Sequence, residues 1–186
     1  AVDDLSGGRL VLGMGTGWQE REHEVFGIPF HEFATRFDML QEGLEVVTRL
    51  FNRDDPVTYR GEHYQLDEAI LLPRPMRAGG PPVLVGGNGP QRTLPLVARY
   101  ADEWNALAAP RDLFQERNAL LDDLLREEGR APGAVKRSMM TATVFGADDA
   151  ALRDKLAERS ARAGRELTVA ALQERDVERS AEEFRL

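Results

Sequence analysis

The sequence contains no cysteine. Disulfides, thiolate metal sites and cysteine nucleophiles are therefore excluded, and the chain suits a reducing compartment. No apolar run approaches the roughly 20 residues that cross a bilayer. The first residues (AVDDLSGG) also lack the basic-then-apolar layout of a signal peptide. A cytoplasmic location and no membrane partner are expected. Positive charge is scarce too, with 24 Lys and Arg against 32 Asp and Glu for a net charge of −8. Such a surface repels phosphate backbones, so nucleic acid is not an expected partner. Two nucleotide motifs are missing. The dinucleotide fingerprint needs glycine at its first, third and sixth places, but counting from Gly13 the sixth place is Trp18, and from Gly87 it is Arg92. No Gly-Lys-Ser or Gly-Lys-Thr follows a glycine loop, which excludes a Walker-type site.

What is present is an alternation of strand-like and helix-like stretches, the pattern of parallel βα units. Residues 9–15 (RLVLGMG) and 82–87 (PVLVGG) are short, apolar and end in glycine, as strands covered on both faces do. Residues 103–107 (EWNAL) and 138–146 (SMMTATVFG) complete a set of four parallel strands. Phe33, Phe37, Leu40, Leu44, Val47 and Phe51 recur at steps of four and three, which predicts a helix with one apolar stripe. A second helix is predicted over 90–101, with Leu94, Val97, Ala98 and Ala101 on one face. A third covers 111–128, with Leu113, Leu120, Leu121, Leu124 and Leu125 inward and Gly129 as its stop. A fourth runs from an N-cap at Asp148 to Gly164, and the charged tail, 165–186, is predicted helical. Residues 57–66 (VTYRGEHYQL) alternate around Arg60-Gly61 and predict an inserted hairpin. Pro73, Pro75, Pro81 and Pro82 make the following stretch an extended connector. Four parallel strands with two bare edges would leave unpaired backbone groups. The expected fold is therefore α/β, a single domain over 1–186 that forms a portion of a larger barrel, incomplete at both ends.

The most informative stretch joins a buried strand to an amphipathic helix: Val85-Gly86-Gly87-Asn88-Gly89-Pro90-Gln91-Arg92-Thr93. With Gly89 as N-cap, Pro90 takes the first helical position, where its missing N–H costs nothing. The amides of Gln91, Arg92 and Thr93 are then unpaired donors at the positive end of a helix, a place for an anion. Thr93 would add a hydroxyl and Arg92 a charge. The alternative is an ordinary βα turn. A second candidate is Gly13-Met14-Gly15-Thr16-Gly17-Trp18, at the carboxyl end of the first strand, where ligand sites form in α/β folds. Thr16 offers a hydroxyl and Trp18 a lining surface, unless Trp18 is a core anchor. Asn105 closes the third strand and either faces the site or makes a structural hydrogen bond. The cluster Glu20, Glu22, His23, Glu24 and His31 invites a metal reading, but it carries what a solvated helix surface carries, and no metal is expected. His63 is read as a surface or packing residue.

Several of these segments resemble the bacterial luciferase-like superfamily, and most closely its branch that uses the deazaflavin coenzyme F420. The resemblance rests on residues 9–18 (RLVLGMGTGW), Phe26-Gly27-Ile28-Pro29-Phe30, Arg36-Phe37-Asp38, Gly86-Gly87 and residues 99–105 (RYADEWN), in order along nearly the whole chain. It implies a (β/α)8 barrel with an insertion, in which the four strands correspond to the fourth to seventh. It implies further that Gly86, Gly87, Asn88, Gly89, Gln91, Arg92 and Thr93 cradle the coenzyme phosphate. Thr16 and Gly17 would lie beside the deazaflavin ring or its ribityl chain, and Trp18 and Asn105 would line the substrate side. The family places an acid at the position of Trp18 in some members, and a tryptophan cannot do that work, so no catalytic acid or base is assigned. The implied activity is hydride transfer between coenzyme F420 and a small organic substrate in a homodimer. An FMN-dependent monooxygenase or a non-catalytic flavin-binding protein are the alternatives.

Overall fold

The structure, a computed structural model, describes residues 2–141 and 144–164. In chain order, helix α1 (Val2–Leu5) leads into strand β1 (Leu12–Met14), helices α2 (Glu20–Phe26) and α3 (Phe33–Asn52), and a hairpin of β2 (Val57–Arg60) and β3 (Gln65–Ala69). There follow β4 (Val83–Gly86), α4 (Thr93–Tyr100), β5 (Glu103–Leu107), α5 (Arg111–Glu127), β6 (Lys136–Met140) and α6 (Asp149–Ala163). The four expected strands form one parallel sheet in the order β1-β4-β5-β6, and the hairpin stands apart as its own two-stranded antiparallel sheet.

Side chains alternate across the sheet, and the alternation decides where the core sits. Val83, Val85, Trp104 and Ala106 are buried on one face. There they meet Phe37, Leu40 and Leu44 of α3, Leu94, Val97 and Ala98 of α4, and Leu121 and Leu125 of α5. Each fully buried Leu or Val contributes about 1.5–3 kcal/mol. Leu84, Gly86, Glu103, Asn105 and Leu107 fall on the opposite face and are only half-buried. Parallel strands with helices packed on one face are what part of a barrel wall looks like. Helix ends are closed by arginines from elsewhere in the chain. Arg74 donates to the carbonyls of Leu50 and Phe51 at the end of α3, and Arg130 to those of Ala98 and Ala101 at the end of α4. α6 carries the expected cap, Asp148 accepting from the Ala151 amide at 2.8 Å.

Four boundaries differ from expectation. β1 spans Leu12–Met14 rather than 9–15, because its only strand partner among the described residues, β4, is four residues long. β6 starts at Lys136 and ends at Met140, so residues 144–146 are not strand, and 142–143 lie outside the described residues. The hairpin turn is 61–64 and the second arm runs on to Ala69. α4 starts at Thr93, not Pro90. Pro90 sits in a turn before the helix, and the proline tolerated in the first helical turn is Pro95. The tail, 165–186, lies outside the described residues. Among the described residues no helix is long and apolar enough to cross a membrane.

Candidate functional site

The carboxyl ends of β1, β4 and β5 share one edge of the sheet, and both glycine-rich loops leave from it. The loop after β4 is held by its carbonyls and by one side chain. Trp104 Nε1 donates to the Gly87 carbonyl at 2.7 Å, and Arg117 Nε to the Asn88 carbonyl at 3.1 Å. The Asn88 side chain is 5% exposed and replaces a missing strand partner. Its Nδ2 donates to the Leu107 carbonyl at 2.7 Å, and its Oδ1 accepts from the Leu107 amide at 2.9 Å. The Asn88 side chain is therefore committed to the fold.

The amides divide cleanly. Gly87 N–H donates to the Asn105 carbonyl at 3.0 Å, and Leu94 N–H to Gly89 at 3.0 Å. Among the described residues, the amides of Asn88, Gly89, Gln91, Arg92 and Thr93 have no protein acceptor. Thr93 is 4% exposed, and its hydroxyl likewise makes no hydrogen bond there. A Cβ added at Gly87 would come within 3.2 Å of the Thr93 side chain, and one at Gly89 within 3.0 Å of Thr93 Oγ1. The backbone is thus folded closely around that hydroxyl, which favours glycine, at Gly87 also through its φ of +126. Open amides and the unpaired hydroxyl of a mostly buried threonine at a helix start make a donor set suited to a phosphate.

Arg92 is a correction. Its guanidinium points back to α3, 3.4 Å from the Ala34 carbonyl and 3.5 Å from Asp38 Oδ1, because the helix begins one residue after it rather than at Pro90. Its charge does not enter the cradle.

The loop after β1 is held from the same helix. Arg36 donates to the Gly17 carbonyl and stacks 4.2 Å over the Phe30 ring, which meets the His23 ring edge-on at 4.8 Å. The first turns of α3 therefore touch both loops, Gly17 through Arg36 and the β4–α4 loop through Arg92. Thr16 is half-buried, its hydroxyl 3.4 Å from the Gly17 carbonyl. Trp18 is 77% exposed, which removes the core-anchor alternative. Glu20, Glu22 and Glu24 lie on the exposed surface of α2. Among the described residues no group of three or more His, Asp or Glu is placed to hold a metal.

Asn105 stands two residues before the end of β5, beside Ser138 of β6 and beside Gly86, the last residue of β4. Its Nδ2 donates to Ser138 Oγ at 2.9 Å, and that hydroxyl donates to Glu103 Oε1 at 2.6 Å. Lys136 Nζ reaches Glu103 Oε2 at 3.0 Å. The Ser138 hydrogen bond, with Lys136 assisting against the effect of burial, holds the Glu103 carboxyl below its ordinary range. Glu103 is accordingly ionised at neutral pH and is no proton donor. A cavity of about 360 Å³ lies between Val144, Phe145 and the α6 residues Lys155, Glu158, Arg159 and Arg162, and the glycine loop lines no part of it.

Arg117 and the Trp104 indole escaped the sequence reading. Arg117 occupies an inward position on α5, one turn after Leu113 and one before Leu121, and a charge in an apolar stripe was the available signal.

The chain matches the luciferase-like monooxygenase family over residues 1–184. It is 32% identical over 149 residues to pyrimidine monooxygenase RutA of Allorhizobium ampelinum, an alignment covering 76% of this chain and 39% of that protein. It is 39% identical over 99 residues to an F420-dependent glucose-6-phosphate dehydrogenase of Intrasporangium calvum, covering 52% of this chain and 27% of that protein. Among solved structures, an F420-dependent secondary alcohol dehydrogenase in complex with an F420-acetone adduct aligns with a TM-score of 0.66 at 27% identity, over 74% of this chain and 41% of that one. Monooxygenase RslO1 from Streptomyces bottropensis aligns with a TM-score of 0.69 at 25% identity, over 98% of this chain and 54% of that one. The chain spans less than half the length of the two curated relatives named. The matching family, the half-barrel sheet and its relatives agree: this chain belongs to the luciferase-like monooxygenase family, and its fold is a portion of that family's α/β barrel.

Proposed function

We propose that the protein is an oxidoreductase that binds the phosphorylated tail of coenzyme F420 in the β4–α4 loop and uses it on a small organic substrate. The observation that carries this reading is the set of unpaired amides at Asn88, Gly89, Gln91, Arg92 and Thr93 beside the unpaired hydroxyl of Thr93. Such donors at a helix start suit a phosphate. The bound deazaflavin would supply two-electron hydride chemistry, and the protein would supply orientation. Gly86 and Gly87 let the backbone approach the tail. Thr16 and Gly17, held by Arg36, would border the ring, and the exposed Trp18 would line the substrate side. Asn105 would reach that side only through its bond to Ser138. The F420-dependent relatives support this choice of coenzyme.

The similarity to a pyrimidine monooxygenase over three quarters of the chain favours a second reading, FMN as the cofactor with oxygen as co-substrate. Fluorescence titration with oxidised and reduced F420 and with FMN separates the two. Quenching by F420 alone supports the proposal, quenching by FMN with flavin-stimulated oxygen uptake supports the alternative, and no response to either ends both.

A further inference from the structure

Four polar or charged residues are buried among the described residues: Asp3, Asn88, Thr93 and Arg117. Asp3 secures the connector by accepting from the Met76 amide at 2.9 Å. The other three converge on the β4–α4 loop. Burying an arginine is costly unless its hydrogen bonds are used. Arg117 is 8% exposed, pairs with the exposed Glu116, and spends Nε on the backbone carbonyl of Asn88.

The peptide group is planar and trans, so a carbonyl and the N–H of the next residue point in opposite directions. Fixing one half fixes the other. Arg117 holds the Asn88 carbonyl on the α5 side, which turns the Gly89 N–H away from it. Trp104 holds the Gly87 carbonyl in the same manner, which turns the Asn88 N–H away from β5. Neither amide has an acceptor among the described residues, and the unpartnered Thr93 hydroxyl lies against Gly89. From this geometry we infer that Arg117 and Trp104 are positioning residues for the anion site. By gripping two consecutive carbonyls from behind, they aim the Asn88 and Gly89 amides at the bound phosphate, with the buried guanidinium adding positive charge one peptide unit away. The inference rests on the β4–α4 loop being the phosphate cradle.

Arg117→Lys keeps the charge but replaces the fixed Nε–H with a flexible ammonium. Trp104→Phe removes the indole donor together with part of a buried ring's volume, and keeps a ring to stack on Phe114, now 5.4 Å away. Dissociation constants of the whole protein are measured for FMN against riboflavin, and for F420 against its phosphate-free deazaflavin core. Each variant is expected to lose about tenfold in affinity for the phosphorylated form and under about twofold for the phosphate-free form. Equal losses on both forms mean that the two residues only support the fold, and overturn the inference, as does unchanged affinity. If Arg117→Lys does not fold, Trp104→Phe decides the matter alone. A wild-type protein that binds both forms of each pair equally removes the cradle itself, and is distinguished from the former outcomes because it shows before any substitution is made.

Discussion

Two turns in this protein present runs of backbone amides, and they end in opposite states. In the hairpin turn the amides of Glu62, His63 and Tyr64 lie 2.8, 2.9 and 3.0 Å from the carboxylate of Glu42 on α3. The loop after β4 offers a comparable set of donors, at Asn88, Gly89 and Gln91 to Thr93, and no carboxylate of the described chain reaches them. Both turns rely on glycine for close approach. A Cβ at Gly61 would stand 2.2 Å from the Glu42 carboxylate, as one at Gly89 would crowd Thr93. The chemistry is one and the same, an anion gripped by several N–H groups. Where the protein supplies the anion, the turn becomes a structural joint. Where it withholds one, the turn is left able to bind.

The comparison breaks most severely if the open turn is distorted. Gly87→Val places a β-branched residue at φ +126, against Thr93. We expect a loss of about 2–4 kcal/mol in stability by denaturant titration, together with loss of phosphate-dependent cofactor affinity. Thr93→Val is subtler, since it keeps the shape and deletes the hydroxyl. Affinity for FMN or F420 should fall by about tenfold, with the affinity for riboflavin unchanged, in isothermal titration.

The closed turn should respond to pH instead. Burial pushes the Glu42 carboxyl up, but the three amide donors and the nearby His63 together outweigh it and leave the group below its ordinary value. A carboxyl lowered in this way stabilises the fold above its unfolded value near about 4.3 and loses that effect as pH falls through the lowered one. Protection of the amides 62–64 against exchange, relative to the intrinsic rate at each pH, is therefore expected to be high at pH 7 and to fall below about pH 4, and Glu42→Gln should show low protection at both. Phosphate affinity should be unmoved by this variant, and a loss there would link two turns that the structure keeps separate. Arg92→Ala is expected to do least. Its partners, Ala34 and Asp38, are exposed on α3, so it should change cofactor affinity by under about 0.5 kcal/mol. A larger loss would bring the guanidinium back into the cradle.

The fold was legible wherever a local period carried it. The stripe from Phe37 through Leu44, the glycine-ended strands and the Asp148 cap are patterns of neighbouring residues, and each emerged near its expected place. Boundaries set by distant partners were not. Reading α4 from Pro90 misjudged the start of the helix, because the backbone first turns around Thr93 and Leu94 N–H reaches back to Gly89. The open amides were legible as glycines before a helix, but the side chains that hold the loop were not. Trp104 and Arg117 lie far along the chain, and no spacing rule links them to Gly87 and Asn88.

By itself the sequence determined that this chain builds parallel βα units, that glycine loops end its strands, and which family pattern it carries. Those follow from periodicity and turn chemistry, which act over a few residues. The tertiary structure alone decided which donors stay open. Whether an amide is satisfied depends on which remote group reaches it, and here Glu42 reaches one turn while Arg117 and Trp104 hold only the carbonyls of the other.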